Sequence, residues 1–109
     1  MKVVLFNGSR KDNGCTFTAL NLVAEALKAE GIDVEIFSVG RRIFNGEIES
    51  VVNEAVAKVR EADGFVFGSP VYWASPSGEL VMFMDRLWAA AGSDLRFKPA
   101  ASVSTCRRA

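Results

Sequence analysis

The sequence predicts an open α/β fold with a parallel sheet in the order 2-1-3-4. Three observations predict it. Short β-rich runs alternate with segments of helical periodicity, giving β-α-β-α-β-α-β. Each interval between successive strands is long enough for a right-handed crossover onto a parallel sheet. The third strand run, GFVFGS at 64–69, is almost continuously apolar, as expected of a strand covered on both faces.

The elements follow in order. KVVLF at 2–6 is a β-rich run closed by Asn7-Gly8. In TFTALNLVAEALKAEG the apolar residues Phe17, Leu20, Val23, Ala24 and Leu27 recur at helical spacing, and Gly31 is placed to terminate the helix. IDVEIFSV alternates Ile32, Val34 and Ile36, which predicts a strand near 32–37 with one more exposed face, at a sheet edge. GRRIFNG reads as a loop. A second helix is predicted over about 48–61 from the stripe Ile48, Val51, Val52, Ala55, Val56 and Val59. The third is expected to start near Pro76, with Ser75 as its cap and Pro76 at the first helical position. Its stripe is Leu80, Phe83, Met84, Leu87, Trp88 and Ala91, and Gly92 is expected to end it. PAASVST at 99–105 supplies a fourth strand, with Pro99 at its start where a missing N–H is tolerable.

The composition sets limits. A chain of 109 residues, half of them hydrophobic and eight of them Phe, is one small domain with a packed core. Thirteen basic and thirteen acidic residues cancel, so no global charge draws it to nucleic acid or to an anionic membrane. The start MKVVLFNGS does not read as a secretory signal, and no run has the length of a membrane span, so cytoplasm is the expected location. The absence of histidine excludes His-based triads and His-containing zinc sites. Cys15 and Cys106 are too few for a four-cysteine iron-sulfur cluster, and a cytoplasmic chain has little use for a disulfide between them.

Two loops carry the chemistry. In FNGSRKDNGCT the chain passes from the carboxyl end of the first strand into the first helix, the edge at which open parallel sheets bind ligands. Helix-start N–H groups favour a phosphate, Ser9 and Thr16 offer hydroxyls, and Arg10 offers a charged fork. Gly8 and Gly14 let backbone pass close to an anion. The same composition also suits an ordinary solvated turn. The spacing after Gly8 fits neither G-x-G-x-x-G nor a Walker A loop, which favours a single phosphate monoester over a nucleoside triphosphate. Arg10 lies outside the apolar core pattern, so its loss is expected to cost little stability. In GSPVYWASPSGELVMFMDR at 68–86, Pro70 and Pro76 stiffen a loop bearing Tyr72 and Trp73 side by side. Backbone N–H groups at Val71, Tyr72 and Trp73 can address the edge of a heterocycle, and the rings can cover or flank its face. Gly78 permits close approach. The alternative reading of Tyr72 and Trp73 is as ordinary core or dimer-contact residues.

On GSRKDNGCT at 8–16 and SPVYWASPSGELVMFMDR at 69–86, the whole chain resembles the NADPH-dependent FMN reductases of the flavodoxin-like superfamily, including the related iron-sulfur flavoproteins. Ser69, Pro70, Val71, Tyr72, Trp73, Ser77, Gly78, Phe83, Asp85 and Arg86 match the second motif, which is the specific one. The resemblance implies that Ser9, Arg10, Asn13, Cys15 and Thr16 surround the FMN phosphate, with Cys15 where relatives often have Asn. It places Pro70, Val71, Tyr72 and Trp73 along the isoalloxazine, and starts a third flavin loop at Thr105, Cys106 and Arg107. Asp85 and Arg86 are expected to be a structural pair or an oligomer contact. The cysteine cluster of the iron-sulfur relatives is missing from GRRIFNGE, which argues against a cluster.

The resemblance implies a flavodoxin-like FMN-binding domain over 1–109 that is incomplete at its C-terminus, with a fifth strand beyond residue 109. It implies hydride transfer from NAD(P)H to the flavin and electron transfer onward to a quinone, a nitro- or azo-compound, or another flavin. Relatives commonly dimerise, so a homodimer is an expectation. The alternatives are an electron-transfer flavodoxin without NAD(P)H activity, against which the balanced charge argues, and a non-enzymatic α/β interaction module.

Overall fold

The computed structural model describes residues 1–106. Its elements are β1 (Lys2–Asn7), α1 (Cys15–Ala29), β2 (Asp33–Ser38), α2 (Gly40–Phe44), α3 (Ile48–Glu61), β3 (Gly64–Tyr72), β4 (Ser75–Pro76), α4 (Gly78–Leu95) and β5 (Ala100–Thr105). The main sheet is parallel, in the order β2-β1-β3-β5. This is the predicted order, with β5 as the fourth strand of the expectation. The fold is flavodoxin-like.

Alternation along β1 builds two cores. Val4 and Phe6 point to one face of the sheet and join Phe65, Phe67, Val51, Ala55, Val59, Phe83 and Leu87 under α3 and α4. Val3 and Leu5 point to the other and join Leu20, Ala24 and Val66 under α1. β1 and most of β3 are therefore buried on both sides, whereas β2 is only partly buried, as an edge strand is. Phe6 stacks on Phe67 at 5.3 Å and meets Phe83 at 5.1 Å, contacts worth about 0.5–1.5 kcal/mol each beyond simple burial.

α1 ends as its sequence predicts. Gly31, at φ 77°, donates to the Lys28 carbonyl at 2.9 Å, and Ile32 donates to Leu27 at 3.1 Å. That is the Schellman arrangement, which needs a left-handed residue. The same two bonds recur at Gly46, φ 89°, after α2, a helix where a loop is expected from the sequence. GRRIF is too short for a periodic stripe, yet Ile43 is buried and anchors α2 to the core.

The start of α4 also differs from expectation. Ser75 and Pro76 do not cap it; they pair antiparallel with Tyr72 and Val71 as β4. The cap is Ser77, whose hydroxyl accepts from the Leu80 amide at 3.2 Å. Two serines two residues apart offered the same capping chemistry, and the hairpin takes the first. The helical backbone breaks at Ala91, beside the expected end at Gly92, but a further turn follows and carries Leu95 into the core.

Candidate functional site

The loop after β1 is organised by Asn7, which is not among the expected site residues. Asn7 is fully buried at the end of β1. Its Oδ1 accepts from the Ser9 amide at 3.0 Å, and its Nδ2 donates to the Lys11 carbonyl at 3.3 Å and to Ser38 Oγ at 3.4 Å. Ser9 Oγ in turn accepts from the Lys11 amide at 3.1 Å. Such local side-chain bonds are what Asn and Ser do after a strand, so the signal was present in Asn-Gly-Ser. Gly8 serves packing: a Cβ there would lie 2.8 Å from Leu80 Cβ.

A second set of bonds ties this loop to the one after β3. Ser77 Oγ donates to the Gly8 carbonyl at 2.9 Å, and the Ser77 amide donates to Ser69 Oγ at 2.8 Å. The Gly8 amide donates to the Gly68 carbonyl at 2.8 Å. Residues 60 and more positions apart thus meet across the switch between β1 and β3, where open sheets bind ligands.

A groove of about 310 Å³ opens beside this junction, lined by Cys15, Pro70, Val71, Tyr72, Thr105 and Cys106. All six are residues predicted to hold a cofactor. Cys15 opens α1, Pro70 to Tyr72 end β3, and Thr105 ends β5. The buried Thr16 locks α1 to β5 through a 2.9 Å bond between Thr16 Oγ1 and Thr105 Oγ1. At the N-terminus of α1 the cap residue is Gly14, which has no side chain to satisfy the first amides, and the first turn carries no acidic residue. Those amides and the positive end of the helix favour an anion.

The other predicted residues lie around it. Asn13 is exposed on the loop. Trp73 is fully exposed, and with Ala74 it turns the β3–β4 hairpin in left-handed conformation, φ 53° and 62°. Tight two-residue hairpins require this at both central positions and ordinarily use Asn or Gly there. Arg10 faces a different groove, of about 530 Å³, shared with Tyr72, Trp73, Pro76 and Gly78. Its Nε bonds Glu79 Oε1 at 2.7 Å, and its guanidinium lies 4.4 Å from the centre of the Phe44 ring and 5.8 Å from that of Tyr72. Glu79 is nine-tenths buried. The expectation that losing Arg10 costs little stability is therefore corrected, because its loss leaves a buried carboxylate unpaired. Glu79 and Phe44 were not identified from sequence; nothing in their local pattern marks a partner 69 or 34 positions away. Asp85 and Arg86 form no ion pair among the described residues, because neighbours on a helix diverge. Arg107 lies outside the described residues.

The family model for NADPH-dependent FMN reductase matches residues 1–109. The chain belongs to this family. An iron-sulfur flavoprotein of Methanocaldococcus jannaschii is 33% identical over 99 residues, covering 79% of this chain and 51% of the relative. Human ribosyldihydronicotinamide dehydrogenase [quinone] is 32% identical over 103 residues, covering 75% of this chain and 45% of its own length. Among solved structures, an apo NADH:FMN oxidoreductase (EMOB) superposes with a TM-score of 0.74 at 26% identity, covering 96% of this chain and 58% of that one. The chain thus spans about half the length of the curated relatives it matches.

Proposed function

We propose that the protein is an NAD(P)H-dependent FMN oxidoreductase whose FMN lies in the groove between the start of α1 and the ends of β3 and β5. The groove itself carries this reading: six residues drawn from three distant parts of the chain converge on it, each selected for flavin contact. Family membership and the NADH:FMN oxidoreductase likeness support it.

The residues present fit such a group. The uncapped amides of α1 suit a phosphate monoester, and Ser9 and Thr16, whose buried hydroxyls already bond the Lys11 amide and Thr105, are proposed to hold the loop and helix around it. Pro70, Val71 and Tyr72 supply a stiff, largely apolar wall with backbone donors for a heterocycle edge. Asn13, Cys15, Thr105, Cys106 and Arg107 complete the proposed contacts, with Arg10 and Trp73 reaching in from the neighbouring groove. FMN when bound supplies hydride and electron transfer between NAD(P)H and an acceptor. The chain positions the flavin and limits its contact with water, and no side-chain nucleophile is assigned.

We read residues 1–109 as one FMN-binding domain of a cytoplasmic homodimer that does not bind nucleic acid or membrane. Val81, Met82 and Trp88, exposed on α4, support a protein partner. Balanced charge argues against polyanions. Among the described residues no helix is long and apolar enough to cross a membrane.

The test is flavin uptake followed by turnover. The purified protein should turn yellow with FMN and then oxidise NADH or NADPH with a quinone present. FMN binding without NAD(P)H oxidation would identify an electron-transfer flavodoxin, and failure to take up FMN would reject the reading.

A further inference from the structure

Arg10 already holds an anion that the protein itself supplies. Glu79 sits in the first turn of α4, where the positive end of the helix favours a carboxylate. Its Oε1 takes the Arg10 Nε at 2.7 Å. Its other oxygen, Oε2, is buried and has no hydrogen-bond partner among the described residues. This ion pair keeps Arg10 over Phe44, in the groove shared with Trp73, Pro76 and Gly78, and apart from the groove lined by Cys15 and Thr105.

We propose that Glu79 is a positioning residue that competes with the flavin phosphate for Arg10 and so sets how tightly FMN is held. The inference rests on the FMN-binding reading given above. Arg10 lines the groove of Trp73, Pro76 and Gly78 and not that of Cys15 and Thr105, so to donate to a phosphate at the α1 terminus its guanidinium must shift, which strains its bond to a carboxylate that is nine-tenths buried and, among the described residues, already short of one partner. Leaving that carboxylate unpaired opposes the gain from the phosphate. A neutral amide in place of Glu79 removes the competition and keeps the shape.

The experiment is a fluorescence titration of FMN and riboflavin against the whole protein, its Glu79→Gln and Arg10→Ala variants, and the double variant, with folding checked by circular dichroism. Riboflavin lacks the phosphate, so a merely structural effect moves both affinities together. Glu79→Gln is expected to tighten FMN by about tenfold, the scale of one charged hydrogen bond, with riboflavin unchanged. The gain should vanish when Arg10 is Ala. Glu79→Ala repeats the measurement should the glutamine variant fold poorly. Unchanged or weaker FMN binding in Glu79→Gln overturns the inference, as does tightening that persists without Arg10. If the parent protein binds neither flavin, the FMN reading itself fails and takes the inference with it.

Discussion

Gly40 opens α2 at a point where that helix and the loop after β1 touch backbone to backbone. A Cβ built on Gly40 falls within 2.5 Å of the Gly8 carbonyl oxygen and of the Ser9 carbonyl carbon and oxygen. Real Cβ atoms stay beyond 3.0 Å, so Gly40→Ala requires a retreat of at least 0.5 Å by main-chain atoms that cannot rotate aside. Two bonds resist that retreat: Asn7 Oδ1 fixes the Ser9 amide at 3.0 Å, and Ser77 Oγ fixes the Gly8 carbonyl at 2.9 Å. The expected cost is that of overpacking, about 1–3 kcal/mol in urea unfolding. Flavin binding should suffer as well. A ligand that needs the original loop must restore the strain, which weakens FMN by about five- to a hundredfold. Paired urea unfolding and FMN titration test this. A Gly40→Ala protein with parental stability and parental FMN affinity would refute the close approach and the rigid loop derived from it.

Ser77→Ala removes the α4 cap and leaves the buried Gly8 carbonyl short of a donor, so unfolding should become easier by about 2–3 kcal/mol, measured by denaturant titration. Arg10→Ala should weaken FMN and spare riboflavin. The same change should destabilise the fold by about 1–3 kcal/mol through the abandoned Glu79, so an unaltered unfolding midpoint would count against the ion pair. On the edge strand β2, hydrogen bonding to Lys58, opposed in part by burial and then aided by the charges of Lys58 and Lys2, holds the Glu35 carboxyl below its ordinary value of 4.5. A folded-state value depressed in this way stabilises above the unfolded value and loses that contribution as pH falls through the folded one. Lys58→Met should therefore flatten the acid limb of the stability–pH profile, and an unchanged slope below 4.5 would contradict it.

The sheet order and three of the four helices were legible in the sequence because their signals are local and periodic. The stripe from Ile48 to Val59 can be read without knowing what covers it, and α3 runs over the predicted residues. Short elements were not legible. GRRIF has one buried anchor, Ile43, too few for a period, and Ser75-Pro76 forms a strand only because Tyr72 and Val71 fold back to meet it. The three segments that border the groove were legible because strand order alone brings them together. The side-chain bonds that hold those loops were not. Asn7 reads as a turn residue until Ser9, Lys11 and Ser38 surround it, and Glu79 reads as a helix-start acid until Arg10 arrives from 69 positions away.

Cys15 and Cys106 are the chain's two cysteines; both thiols are free and exposed, and both line the groove assigned to FMN. They report on its occupancy without any mutation. The rate of thiol alkylation, resolved for each cysteine by peptide mass spectrometry, should fall at both positions together as FMN is added and saturate with FMN binding. Alkylation of both at undiminished rates, in protein shown by absorbance to have bound FMN, would place the flavin elsewhere and contradict the account.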